Sequence, residues 1–134
     1  MTKVNPFRQF MTLVMMSLAL SACANFNPLS VAQTPEQKYA AVKLGYDALL
    51  TPAVQLIQDE SVPVAARRAL QTTVAQSGEV YKSLNAAYVD YLVAKQTFTG
   101  ADKDQRLAVV AAQLDNWIKQ LEQHTNSLAT ALKR

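Results

Sequence analysis

Few side chains in this sequence could do covalent or metal chemistry. There is one thiol, Cys23, and one imidazole, His124. A metal site gathers three or four ligands, and His124 has no second histidine and no nearby cysteine. It therefore reads as a boundary residue that hydrogen-bonds locally. No Gly-x-Ser-x-Gly turn presents a nucleophile, and three glycines are too few for a phosphate-cradling loop. The acids Asp90, Asp102, Asp104, Asp115 and Glu122 are scattered and read as solvation of polar faces. This inventory predicts a protein that is not an enzyme and holds neither metal nor cofactor. Cys23 stands apart, because a lone cysteine in a secreted chain pairs between chains, stays free or is modified.

The residues before Cys23 favour modification. Lys3 and Arg8 give a positive start, Phe10 to Leu20 is apolar, and Ser21-Ala22 are small, the three parts of a secretory signal. A bilayer-spanning helix needs about 20 apolar residues, and this run ends short of that before Asn25 and Asn27. Leu20-Ser21-Ala22-Cys23 resembles the lipobox of bacterial lipoproteins. The resemblance covers residues 1 to about 24. It implies a signal peptide over 1–22, cleavage between Ala22 and Cys23, and acyl chains, usually three, on Cys23. At about 0.8 kcal/mol per buried methylene, two or more chains hold a protein stably at a membrane. Ala24 follows where inner-membrane lipoproteins of enteric bacteria often have Asp. That implies the outer membrane of a Gram-negative envelope, facing the periplasm.

Cleavage would also change the charge. The full chain has 13 basic and 10 acidic residues, and loss of Lys3 and Arg8 leaves the mature chain one charge above neutral. No stretch clusters Lys and Arg with aromatics, so nucleic acid is not an expected partner. The rest of the chain suits one small domain.

Residues 23–34 read as a lipidated cysteine and tether, with Phe26, Leu29 and Val31 more apolar than a free linker requires. Thr34-Pro35-Glu36-Gln37 then predicts a helix start, with a capping residue, a first-turn proline and a capping-box glutamine. Tyr39, Val42, Tyr46, Leu49, Leu50, Val54 and Ile57 follow at helical steps. Pro52 falls inside this pattern without changing its phase, which predicts a kink rather than a break. After a turn at Asp59–Pro63, a second helix to about Gln96 carries Leu70, Val74, Ser77, Tyr81, Leu84, Tyr88, Tyr91 and Lys95 as a heptad-like seam. Gly78 on it could permit close approach of a neighbour. Gly100 suits a left-handed stop, and Asp102 with Gln105 suits the cap of a third helix. There Leu107, Val110, Ala111, Leu114, Trp117, Ile118, Leu121, Thr125, Leu128 and Leu132 form a stripe wide enough for two partners. The fold expected over 35–134 is all-α, an up-down-up antiparallel three-helix bundle.

Binding surfaces are the remaining candidates. The first helix is shorter than the others, and one-to-one pairing from the first turn would end it opposite residue 86. Tyr88, Tyr91 and Leu92, facing Leu107 and Val110, would then form an apolar strip fit for a partner or for the tether. Arg67 and Arg68 are expected to pair with Asp59 and Glu60, or else to meet an anionic partner. The expected function is a lipid-anchored, non-catalytic protein-interaction module whose partner is another envelope protein; its oligomeric state is open. The alternative is a small-ligand or lipid-binding bundle with a pocket near Pro52 and Gly78, which a copurifying lipid would favour. The ending Lys133-Arg134 departs from that of murein lipoproteins, whose C-terminal lysine is joined to peptidoglycan: here the lysine is penultimate.

Overall fold

Thr34 starts the first long helix through the chemistry its neighbours predict. Its Oγ1 accepts the Gln37 N–H at 3.2 Å, while Gln37 Oε1 accepts the N–H groups of Thr34 at 3.2 Å and Gln33 at 3.0 Å. Two donors that the helix start leaves open, and that of the residue before the cap, are thus satisfied locally. The computed structural model describes residues 28–133. Three long helices follow among them: α1 (Pro35–Gln58), α2 (Val64–Thr97) and α3 (Lys103–Leu132). Each packs on the other two, and the α2–α3 pairing is the most extensive. They form the expected up-down-up antiparallel bundle, contained in the unit from Ala32 onward. A single helical turn, Pro28–Val31, belongs to a separate unit. The signal segment, Cys23 and Phe26 lie outside the described residues.

The seven-residue spacing on α2 becomes the core. Leu70, Ser77, Leu84 and Tyr91 are all buried, with Ala94 beside them. They meet Val42, Tyr46 and Ala53 of α1 and Leu114, Ile118, Leu121 and Leu128 of α3. Val54, expected on the inner face of α1, is exposed instead, and Ala53 takes the buried place. A methyl allows α1 and its neighbours to close up where a larger side chain would hold them apart.

α1 runs unbroken through Pro52. Pro52 lacks an N–H, so the Ala48 carbonyl loses its helical partner. Both residues are on the exposed side, where water can serve that carbonyl. The proline ring is therefore kept out of the packed interior.

Both turns use the residues singled out for them, with differences. Asp59 Oδ1 accepts the Ser61 N–H at 2.9 Å and the Ser61 hydroxyl at 2.7 Å, closing the first turn. In the second, Gly100 has φ +95°, the left-handed region expected of a stop. Asp102 occupies the N-cap of α3 but makes no side-chain cap bond. Its backbone, at φ −95° and ψ 6°, is not the extended conformation from which a cap side chain reaches forward. Its carboxylate lies over Gly100 instead. The guanidinium of Arg106 sits 4.2 Å from the ring centroid of Phe98, tying the two sides of this turn.

Gly78 does not serve a close approach. A Cβ added there, or at Gly45 on α1, would have nothing within 4 Å. Both glycines loosen the unfolded chain without easing the folded one. Gly45→Ala and Gly78→Ala should each stabilise the protein by about 0.5–1 kcal/mol, a rise of several degrees in melting temperature. Pro52→Ala should do more, up to about 3 kcal/mol. Thermal unfolding checks all three, and a lower melting temperature in any of them would mean Pro52 or the open space beside the glycines has a packing role.

Candidate interaction site

The tyrosines that the sequence sets seven apart meet across the α1–α2 seam. Tyr39 stacks on Tyr88 with ring centroids 3.8 Å apart and planes 8° from parallel. Tyr46 and Tyr81 are tilted at 5.1 Å. Each hydroxyl on α1 has a partner on α2: Tyr39 donates to Asn85 Oδ1 at 2.7 Å, and Tyr46 bonds Ser77 Oγ at 3.1 Å. Burial raises the pKa of Tyr39, which keeps its phenol protonated as the donor.

This seam corrects the expected strip. α1 does not run out opposite residue 86, because Glu36 in its first turn reaches Tyr91 and Lys95. The turn at Asp59–Pro63 sets the two helices past one another, so the start of α1 covers Tyr88 and Tyr91. Tyr91 is buried, and Leu92, Leu107 and Val110 are half-buried. Tyr88 and Tyr91 thus belong to the internal packing of the bundle.

The start of α1 is held on two sides. Toward α2, the Tyr91 hydroxyl donates to Glu36 Oε1 at 3.3 Å and Lys95 Nζ pairs with the same oxygen. Toward α3, Lys38 Nζ lies 3.3 Å from Asp115 Oδ1, and Lys119 Nζ lies 2.9 Å from Asp115 Oδ2. The Lys95 hydrogen bond holds the Glu36 carboxyl below the usual range. Lys119, and then Lys38, do the same for Asp115. Burial and the negative charge of Glu36 raise Tyr91.

Arg67 and Arg68 do not pair as expected. Neither comes within ion-pair distance of Asp59 or Glu60 among the described residues: Asp59 takes its hydrogen bonds from Ser61, and Arg67 acts on it only as a nearby positive charge. Arg67 is half-buried, its Nε without a hydrogen-bond partner, and Arg68 is exposed. His124 is half-buried on α3. No group of three His, Cys, Asp or Glu side chains among the described residues is placed to hold a metal ion. The region named for a ligand pocket has Pro52 exposed and open space beside Gly78.

Grooves lie elsewhere. One, between α1 and α3, is lined by Pro35, Lys38, Ala111, Asp115 and Ile118 and spanned by the Lys38–Asp115 pair. Another, between α2 and α3, measures about 450 Å³ and is walled by Trp117, with Ala86, Ala87, Asp90, Gln113 and Asn116 around it. Sequence periodicity assigned Trp117 to the α3 core stripe. The structure leaves it half-buried at the stripe's edge, while Leu114, Ile118 and Leu121 fill the interior. The available signal was its position three residues from Leu114 and four from Leu121, on the flank of both.

The charged contacts of Glu36 give a pH test. Its folded-state pKa is depressed, so the stability it contributes is complete above the ordinary glutamate range and is lost as pH falls through the folded value. Denaturant unfolding of the wild type and Lys95→Ala should show a gap that closes on acidification below that range. Glu36→Gln should narrow the gap at neutral pH. A gap independent of pH would mean Lys95 contributes through its stem alone.

No protein-family model matches the chain, and no curated protein or solved structure matches it.

Proposed function

We propose that this chain is a lipid-anchored envelope lipoprotein, held at the outer membrane by acylated Cys23 and acting by protein contact without catalysis. The observation that carries this reading is Leu20-Ser21-Ala22-Cys23 behind a basic and then apolar segment, with Cys23 the single cysteine. The described residues are consistent with it. Their capped bundle begins at Thr34, soon after the cysteine. No helix among them is long and apolar enough to cross a membrane. In this reading, membrane affinity rests on the acyl chains. The partner is a second envelope protein, met by the outer faces of the helices.

Cys23→Ser tests the anchor. The variant should be uncleaved, or released into the periplasmic fraction, while retaining the helical content and melting temperature of the bundle. Variant protein that is correctly cleaved and still floats with membranes would remove the lipoprotein reading. Crosslinking in cells followed by mass spectrometry tests the contact, with one envelope protein expected to recur in the wild type and fade in the released variant.

A further inference from the structure

We propose that the groove between α2 and α3 binds the face of a neutral sugar ring within a glycan chain. Trp117 walls this groove and stays half-buried while its α3 neighbours are packed inside. An indole offers a broad apolar surface with one N–H at its edge. The C–H bonds on one face of a pyranose ring pack against such a surface. Around it, Asp90, Gln113 and Asn116 are exposed, and none of their side chains makes a hydrogen bond or ion pair with another described residue. Two carboxamides and a carboxylate present donors and acceptors side by side. Neighbouring hydroxyls on a sugar ring satisfy that arrangement.

Other ligand classes fit less well. The one charge lining the groove is the Asp90 carboxylate. A phosphate, a nucleic acid or an anionic head group would meet that carboxylate with no cation to offset it. An amphipathic helix needs apolar anchors along a groove. Here the apolar lining beside Trp117 is only Ala86 and Ala87, and a helix would bury Asp90, Gln113 and Asn116 unpaired. The groove runs between two long antiparallel helices, a setting that admits linked rings. This ligand lies beyond the protein-contact reading and does not depend on acylation of Cys23.

Trp117 is the sole tryptophan of the chain, so emission excited at the red edge of tryptophan absorption, where the tyrosines do not absorb, reports on this groove. The full chain, in a detergent without a sugar head group, is titrated with the tetramer of β-1,4-linked N-acetylglucosamine. A second arm uses the tetramer of β-1,4-linked glucose. A saturable change in emission is expected in the first arm, with a Kd of about 0.1–5 mM. Gln113→Ala and Asn116→Ala should each weaken it about fivefold or more, with melting temperature unchanged because both residues are exposed. A response in both arms supports recognition of the ring and its hydroxyls, and a response in the first alone adds the acetamido group. No response in either arm up to about 20 mM would overturn the proposal. So would sugar binding that both alanine variants retain in full, or an emission change that follows protein concentration and marks a second copy in the groove.

Discussion

The hydrogen bond between the Tyr46 hydroxyl and Ser77 Oγ, 3.1 Å long, is the contact on which the position of α1 depends. Ser77 has no exposure and Tyr46 only 2%. The rest of the α2 seam at that spacing is Leu70, Leu84 and Tyr91, so Ser77 is the point where apolar packing is interrupted. A buried hydroxyl without a partner costs about 1–3 kcal/mol. Sliding α1 by two turns either way would present the Tyr46 hydroxyl to Leu70 or Leu84. The polar pair therefore excludes registers that apolar packing alone would tolerate, as a single polar seam residue does in coiled coils.

From that fixed point the other contacts follow in order along the seam. Tyr39 stacks on Tyr88, and Glu36 reaches Tyr91 and Lys95. The start of α1 is held by pairs to α2 and, through Lys38–Asp115, to α3. Exposed ion pairs are individually weak. Three contacts in the first turn and a half still oppose fraying where a helix is least secure. In the anchored reading, that is where a pull from Cys23 would enter the bundle.

Much of the fold was legible because helix signals are local. The Thr34–Gln37 box, the left-handed Gly100 and the seven-residue run from Leu70 to Tyr91 each need only neighbours a few residues away. Register was not legible. Counting helix lengths put the end of α1 opposite residue 86, but loop geometry and the Tyr46–Ser77 bond shift it past Tyr91. Asp102 shows the same limit: its type suits a cap, but its backbone dihedrals turn the side chain toward Gly100. For the candidate site, periodicity placed Trp117 on the right helix face but could not say that Leu114 and Ile118 would fill the interior first. The open groove belongs to a pair of helices and to neither sequence alone.

The most direct measurement of the central constraint is the stability of Ser77→Ala, Tyr46→Phe and their combination. Tyr46→Phe removes the phenol while Ser77 Oγ keeps its bond to the Val74 carbonyl at 2.9 Å, so its cost should be about 0.5–1.5 kcal/mol. Ser77→Ala strands the buried Tyr46 hydroxyl and should cost about 1–3 kcal/mol, even though alanine is the better helix former. Adding Tyr46→Phe to Ser77→Ala should then restore stability. If Ser77→Ala is as stable as the wild type, or the two changes simply add, the buried pair does not hold α1 in register.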